Sequence, residues 1–244
     1  MGLRLAGRTA LITGASSGIG AATASALAHS GCRLVLVGRD ERRLSEVARR
    51  TGGRVMCADL GERADVERVA ADQDVDLLIN NAGFGWEGAL EDMSAEDVST
   101  LIAVNLTASV ELTRHLLPAM VRRRRGHVVF VSSIAALGVR GEAVYAATKS
   151  GLRTFAESVR YEAPPVGVTT VLPGAVRTPF FTSRGKPYAR SFPRQVEPTT
   201  VAEALVRGIE RNHREVFVPG WLTVAARVQG TVPGAFHRLA RLFG

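Results

Sequence analysis

Short apolar runs alternate with longer helix-forming stretches along this chain, and that alternation is the feature that most constrains its fold. The runs are rich in Val, Ile and Leu, which favour buried strands. They fall at residues 9–13, 33–37, 54–58, 76–80, 128–131, 168–172 and 215–219. Strands that alternate with helices require a parallel sheet covered by helices on both faces. The sequence therefore predicts an α/β fold with a doubly wound parallel sheet of six to seven strands.

Length and composition agree with one such domain. The chain has 244 residues, of which 46% are hydrophobic, and this suits a single α/β domain. The formal net charge of +8 suggests nucleic-acid binding, but the arginines are scattered apart from the run at residues 122–125. That run follows apolar residues and precedes a glycine, which is typical of a helix carboxyl terminus. We therefore expect no nucleic-acid partner.

The sequence carries no signal of secretion, membrane insertion or metal binding. Its first apolar run leads into a glycine turn rather than a cleavage site, and no apolar stretch reaches the roughly 18 residues of a membrane span. Cys32 and Cys57 lie in or beside predicted strands, so they are expected to be small core residues in a reducing compartment. No Cys/His spacing predicts a metal site. The expected location is the cytoplasm.

A glycine-rich turn follows the first predicted strand. It contains Gly14, Ser16, Ser17, Gly18, Ile19 and Gly20. The Ala-rich stretch behind it favours a helix, and backbone N–H groups at such a helix start can face an anion. The glycine spacing differs from the common G-x-G-x-x-G fingerprint. Its place at the first strand-to-helix junction nevertheless favours cofactor binding over a structural turn.

The end of the second predicted strand indicates which dinucleotide is bound, because this end meets the adenosine ribose in dinucleotide folds. Gly38 leaves room there, and Arg39 offers a planar cation suited to phosphate. Asp40 is the opposing feature, but its position predicts the N-cap of the next helix. We expect NADP rather than NAD. The alternative is that Arg39 is only an exposed loop cation.

Polar residues whose side chains could take part in a reaction lie beyond residue 100. Tyr145 and Lys149 are four residues apart and share a helix face, so the ammonium is expected to lower the pKa of the phenol toward working pH. Such a pair suits proton exchange with an alcohol or carbonyl oxygen. Asn105 falls in an apolar helical run, where its amide needs a partner. That partner is either a backbone group or a water molecule, in which case a distortion of the helix would open onto a chain of waters.

Together these residues resemble the short-chain dehydrogenase/reductase family. The shared motifs are Thr13-Gly14-x-x-x-Gly18-Ile19-Gly20, Asp59-Leu60, Asn80-Asn81-Ala82-Gly83, Asn105, Ser133, Tyr145-x-x-x-Lys149 and Pro173-Gly174. The resemblance implies a single Rossmann-like domain. It also implies hydride transfer between a nicotinamide cofactor, NADPH favoured, and the carbonyl or secondary alcohol of a small, lipophilic substrate.

The resemblance gives each catalytic residue a role. Tyr145 would be the general acid for reduction and the base for oxidation, and Lys149 would lower the tyrosine pKa and hold the nicotinamide ribose. Ser133 would bond the substrate oxygen, and Asn105 would anchor a water that relays protons to Lys149. The family serine commonly lies thirteen residues before the tyrosine, which is Ser132 here. We assign Ser133 because the family pattern uses the second serine of a pair.

The resemblance also implies cofactor contacts at the carboxyl ends of the strands. Asp59 would meet the adenine, Asn81 a ribose, and Val176 with Thr178 the carboxamide. The other expected contacts are Leu60, Ala82, Gly83, Pro173 and Gly174, together with the glycine turn, Arg39, Tyr145 and Lys149.

The last third of the chain is expected to set the substrate. Residues 1–219 would form the dinucleotide-binding and catalytic domain, with a substrate lid at about 179–197. Phe180, Phe181 and Phe192 suggest an apolar pocket wall or, equally, core packing. Residues 220–244 form a basic amphipathic tail that would pack on the domain or on a partner subunit, with contact to an anionic membrane as the less favoured alternative. The resemblance implies a homodimer or homotetramer.

Three function classes are compatible with these features. The leading hypothesis is an NADP-dependent oxidoreductase. The alternative is a non-catalytic sensor or scaffold of the same fold that binds nucleotide. The presence of Asn105, Ser133, Tyr145 and Lys149 argues against that alternative, because a sensor has no need of a proton relay. A nucleic-acid binder is suggested by charge alone and by no motif.

Overall fold

The computed structural model describes residues 3–71, 74–185, 188, 193–231 and 234. The strands are β1 (Thr9–Thr13), β2 (Arg33–Gly38), β3 (Arg54–Cys57), β4 (Leu77–Asn80), β5 (His127–Val131), β6 (Gly167–Pro173) and β7 (Glu215–Val218). The α-helices in the described part of the chain are α1 (Gly18–His29), α2 (Glu41–Thr51), α3 (Arg63–Ala70), α4 (Ala95–Ile102), α5 (Ala108–Arg122), α6 (Ala143–Glu162), α7 (Phe180–Ser183), α8 (Pro198–Arg211) and α9 (Leu222–Thr231).

The strands form one seven-stranded sheet in the order β3-β2-β1-β4-β5-β6-β7. Every neighbouring pair is parallel. The central strands β4 and β5 are buried at every residue, which explains why their sequences are continuous apolar runs instead of alternating ones. The prediction of a doubly wound, Rossmann-like parallel sheet is confirmed.

Helices cover both faces of the sheet and form two separate cores. One core packs α3, α5 and α6 against the sheet around Phe130, Leu112 and Leu152. The other packs α1, α2 and α8 around Leu36, Leu27 and Leu205. Because each face is sealed by helices, an open site must lie at an end of the strands.

The strand order reverses between β1 and β4. The chain runs outward from β1 to β3 and then returns to place β4 on the other side of β1. The loops that leave β1 and β4 therefore diverge, and a crevice opens at the carboxyl ends of these strands. The glycine turn after β1 and the Asn81 turn after β4 border that crevice.

The prediction that both cysteines are core residues is wrong for one of them. Cys32 is buried, whereas Cys57 is exposed. Cys57 ends β3, which is one of the two edge strands of the sheet, so its apolar run is covered less well than those of the central strands. Cys57 donates its thiol hydrogen to the carbonyl of Arg39, with 3.4 Å between Sγ and O.

The predicted lid and tail are described in part. Within the lid, α7 follows β6, and Val196 forms a parallel bridge with Val176. In the tail, α9 begins at Leu222, which is buried, and the Gln229 side chain donates to the carbonyl of Leu137 at 3.0 Å. Phe192 and residues 235–244 lie outside the described residues. The division of the chain at residue 219 stays a prediction.

Candidate active site

A cavity of about 820 Å³ opens at the carboxyl ends of the strands. It is bordered by all but one of the predicted cofactor residues: Gly14, Ser16, Ser17, Gly18, Ile19, Arg39, Asp59, Leu60, Asn81, Ala82, Gly83, Tyr145, Lys149, Pro173, Gly174, Val176 and Thr178. Ser133 borders it too. Residues spread over most of the chain are thus brought to one site by the sheet topology.

Gly20 and Asn105 are the predicted site residues behind the wall of this cavity. A Cβ atom at Gly20 would lie 2.2 Å from the carbonyl oxygen of Gly14 and 2.6 Å from Nδ2 of Asn81. Gly20 is therefore required for the packing of the turn and supports the site from behind. Asn105 is fully buried, and its neighbour Val104 reaches the cavity instead.

The turn between β1 and α1 borders the cavity with Gly14, Ser16, Ser17, Gly18 and Ile19. Gly14 and Gly18 have φ values of 66° and 54°, the left-handed region that favours glycine. Within the described structure, the Ser17 side chain makes no capping hydrogen bond, and the first turn of α1 contains no acidic residue. A helix start with open N–H donors and no competing carboxylate fits the pyrophosphate of a dinucleotide.

The loop after β4 is tied to this turn. Asn81 donates from Nδ2 to the carbonyl of Thr13 at 2.8 Å. The Thr13 hydroxyl accepts from the backbone N–H groups of Asn81 and Ala82, each at 2.9 Å, and donates to the carbonyl of Ile79. These bonds fix the two loops that flank the crevice relative to each other, as a preformed binding site requires.

Two arginines surround the cavity where β2 ends. Arg39 pairs with Asp59 at 3.5 Å, and both side chains are substantially exposed. Asp40 caps α2 as predicted, because its carboxylate accepts from the backbone N–H of Arg43 at 2.9 Å. The Arg43 guanidinium also pairs with Asp40 at 3.2 Å. Arg43 borders the cavity and was missed by sequence reasoning, although its place one turn after the cap was a usable signal.

Tyr145 lies at the centre of the cavity wall near the start of α6. Burial raises the pKa of its phenol above the ordinary value, and a hydrogen bond with the Ser133 side chain works in the opposite direction. The Lys149 Nζ atom lies 5.6 Å from the centroid of the tyrosine ring. The expectation of a lowered tyrosine pKa therefore differs from the structure, because desolvation of the phenolate outweighs the Ser133 hydrogen bond and the charge of Arg184.

Lys149 is held between β5 and α6. Its Nζ donates to the carbonyl of Val131 at 2.9 Å, and burial lowers its pKa to about 8. The Ser132 hydroxyl donates to the backbone carbonyl of Lys149 at 2.7 Å. Ser132 is thus engaged with the lysine backbone, while Ser133 bonds the tyrosine side chain. This geometry favours Ser133 over Ser132 as the serine that meets a substrate.

Asn105 lies in a π-helical turn, Ala103–Thr107, between α4 and α5. Its side chain clamps the backbone of Phe84: Oδ1 accepts from N at 3.0 Å and Nδ2 donates to O at 2.8 Å. The backbone partner considered from the sequence is thus observed, and the helix is distorted at this position, while the water chain stays a prediction. A Cβ at Gly83 would lie 3.0 Å from Asn105 Oδ1 and 3.4 Å from Lys149 Nζ. Asn105 and Lys149 therefore face the same narrow space beside Gly83.

The cavity lining also includes a group of mostly apolar residues beside Glu142, Ser183 and Arg184. The group comprises Phe84, Val139, Phe180, Phe181, Tyr188, Trp221, Leu222 and Ala225. Phe180 and Phe181 are therefore wall residues, in line with the first of the two expectations. The contribution of α9 was missed, because the tail shows only an amphipathic pattern and its contact with this loop cluster is long-range.

Comparisons with known proteins identify relatives of this chain. Residues 8–189 match the family model described as short chain dehydrogenase. The chain is 33% identical over 227 residues to ketoacyl reductase HetN from Nostoc sp., a match that covers 88% of this chain and 79% of that protein.

Solved structures show the same similarity. A short-chain dehydrogenase from Sphingobium yanoikuyae in complex with NADPH has a TM-score of 0.82 and 31% identity, covering 93% of this chain and 95% of that one. A short chain dehydrogenase/reductase from Burkholderia phymatum in complex with NAD has a TM-score of 0.84 and 26% identity, covering 93% of this chain and 94% of that one.

Among the described residues, no helix is long and apolar enough to cross a membrane.

Proposed function

Because the chain belongs to the short-chain dehydrogenase/reductase family of oxidoreductases, we propose that it interconverts a carbonyl compound and its alcohol with NADP. The observation that carries the proposal is the convergence of Ser133, Tyr145 and Lys149 on the cavity that the glycine turn also borders. The glycine turn would hold the dinucleotide, which when bound would supply or accept the hydride. The chain's own residues handle the proton on the substrate oxygen.

We assign the proton transfer to Tyr145. In reduction, its hydroxyl gives a proton to the carbonyl oxygen, and in oxidation the phenolate takes the proton back. Ser133, already hydrogen-bonded to Tyr145, orients the same substrate oxygen. Lys149 stabilises the phenolate by its positive charge. The space beside Gly83, shared by Asn105 and Lys149, suits a water that returns the proton to the site.

NADP is preferred in this proposal because cations dominate the end of β2. Arg39 and Arg43 border the cavity, and the Asp40 carboxylate is engaged as a helix cap. The Arg39–Asp59 pair is exposed, and such pairs contribute little stability. Arg39 can therefore turn from Asp59 to a 2′-phosphate at small cost. One solved relative is in complex with NADPH and another with NAD, so the proposed preference rests on these side chains alone.

The cofactor preference can be measured by fluorescence titration with NADPH and NADH. Arg39→Asp should shift the ratio of the two dissociation constants toward NADH by about ten- to a hundredfold, which is the size of a charge-assisted hydrogen bond. Arg42→Asp is the matched control, since Arg42 is an exposed residue of α2 paired with Glu46. An unchanged ratio in Arg39→Asp would contradict the assignment.

The activity itself is tested with a panel of ketones, aldehydes and secondary alcohols, read by nicotinamide absorbance. The apolar lining by Phe84, Phe180 and Trp221 favours small lipophilic substrates. We expect turnover of several neutral ketones with NADPH. A purified protein that binds NADPH but turns over no member of the panel in either direction would favour the non-catalytic alternative.

A further inference from the structure

The short helix α7 lies over the reacting end of the cavity. The ring centroid of Phe180 is 5.4 Å from that of Tyr145. Phe180 also lies against Gly85, where a Cβ atom would be 2.5 Å from its ring. Phe181 stacks edge-on with Phe180 at 5.4 Å. Phe180 therefore forms a part of the apolar wall that contacts Tyr145, and Phe181 packs on Phe180.

Arg184 fastens α7 to the rest of the domain. Its side chain is only 8% exposed. One guanidinium nitrogen, Nη2, lies 2.6 Å from Oε2 of Glu87, and the other, Nη1, lies 2.5 Å from Oε1 of Glu142. The guanidinium carbon is 4.7 Å from the centroid of the Phe181 ring. Arg184 thus joins three segments: the end of α7, the loop after β4 and the residue that precedes α6.

The two ion pairs of Arg184 lie near Tyr145, the residue assigned to proton transfer. Removing charges from water is costly, so buried ion pairs contribute less to stability than to fixing one arrangement of the groups around them. Glu142 precedes α6 by one residue, and Tyr145 lies in the first turn of that helix. The charges of Glu142 and Arg184 both act on the pKa of Tyr145, in opposite directions. The cluster is therefore close to the reacting group.

We propose that Arg184 is a positioning and specificity-determining residue, which holds Phe181 on Phe180 and Phe180 against Tyr145 and restricts the site to neutral carbonyl substrates with an apolar substituent. This inference rests on the proposed function. Glu142 borders the cavity beside Arg184 and would repel a substrate carboxylate, and Glu87, which pairs with the same guanidinium, adds a second negative charge to the cluster. The site accordingly disfavours keto acids.

Two variants separate the parts of this proposal. Arg184→Met removes the ion pairs with Glu87 and Glu142 and keeps a long side chain. It should raise KM for a bulky neutral ketone about tenfold, with a smaller change in kcat and an unchanged dissociation constant for NADPH.

Glu87→Gln with Glu142→Gln removes the carboxylates and keeps the cation. It should raise the ratio of kcat/KM for a keto acid to that for a neutral ketone about tenfold. Arg207→Met, on the exposed face of α8, is the control for both.

Hydrogen exchange provides a readout that does not depend on turnover. The N–H groups of Ser183 and Arg184 donate to the carbonyls of Pro179 and Phe180. Their exchange should become about tenfold faster in Arg184→Met, and Arg184→Lys should restore part of the protection. Unchanged exchange would overturn the positioning role even if the wild-type protein reduced no carbonyl. An active wild type with an unchanged keto-acid ratio in the double glutamine variant would overturn the specificity role and leave the proposed function intact.

Discussion

Titratable side chains are buried at both ends of the parallel sheet, in different surroundings. At the carboxyl ends of the strands, Tyr145 and Lys149 are buried in the wall of an 820 Å³ cavity. At the amino ends, Asp76 and His127 are buried against other protein groups. Burial moves the pKa of Tyr145, Lys149 and His127. A shifted pKa by itself therefore does not distinguish a reactive site from a structural one.

The amino-terminal end satisfies its polar groups internally. The Asp76 carboxylate accepts from the backbone N–H of Thr9 at 3.2 Å and pairs with Arg125 at 3.0 Å and Arg8 at 3.9 Å. His127 bonds the Thr169 hydroxyl at 2.8 Å. At the carboxyl-terminal end, by contrast, the Tyr145 side chain borders open space. The two ends differ in access to a cavity. Substitutions at the carboxyl-terminal end should therefore reduce activity, and those at the amino-terminal end should reduce stability.

Tyr145→Phe should have the largest effect, and it should act on activity. Removing the hydroxyl removes the proton donor while the ring still packs against Phe180, so turnover should fall by about 10²- to 10⁴-fold with NADPH binding nearly unchanged. Steady-state kinetics and fluorescence titration measure both quantities. Tyr161→Phe on the same helix is the control, because Tyr161 is 71% exposed. Turnover retained by Tyr145→Phe would contradict the proposed mechanism.

Asp76→Ala should damage stability instead. It removes the acceptor of the Thr9 N–H group and of the Arg125 guanidinium, and the ion-pair partner of Arg8, so the free energy of unfolding should fall by about 1.5–3 kcal/mol, while kcat of the folded enzyme stays the same. Urea denaturation and kinetics on one preparation test this. Asp74→Ala is the matched control, since the Asp74 side chain is 99% exposed and its loss should stay within about 0.5 kcal/mol. A lower kcat in Asp76→Ala would blur the contrast between the two ends.

Glycines near the two ends of the chain should respond with opposite signs. Gly20→Ala places a Cβ 2.2 Å from the carbonyl oxygen of Gly14, so overpacking should cost about 1–3 kcal/mol and weaken NADPH binding. At Gly230, in α9, an added Cβ atom would meet no other atom of the described structure within 4 Å. Gly230→Ala should therefore stabilise the protein by about 0.5–1 kcal/mol. Thermal unfolding of both variants checks the pair, and an equal effect at the two positions would show that the turn is not tightly packed.

The parts of this site that could be predicted from the sequence are those with a local sequence pattern. Apolar runs located the strands, and the turn chemistry after β1 and the spacing of Tyr145 and Lys149 located the site, because each signal lies within a few residues. Cys57 was misjudged, because only the strand order reveals that β3 is an edge. The ion pairs of Arg184 with Glu87 and Glu142 were also beyond sequence reasoning, since these partners come from distant segments and charged residues normally predict an exposed surface.

His127 offers the smallest test, through the pH dependence of stability. Its Nε2 bonds the Thr169 hydroxyl, which donates its own hydrogen to the carbonyl of His213, so Nε2 must carry a proton and donate. Burial, with a smaller contribution from the charge of Arg160, lowers the pKa of His127 to about 3 from an ordinary 6.5. Between these values the unfolded chain binds a proton that the folded chain does not. Stability should therefore fall as the pH drops below 6.5.

The expected slope from this one group approaches about 1.4 kcal/mol per pH unit. Chemical denaturation at pH 7 and pH 5 measures the fall in an interval that lies above the ordinary pKa of Asp and Glu. His127→Gln, which keeps an N–H donor and cannot titrate, should lose less stability over the same interval. In the wild type, the NMR signal of His127 should not move over this interval. An equal fall in both proteins would assign the pH dependence to other groups and remove His127 from the contrast between the two ends of the sheet.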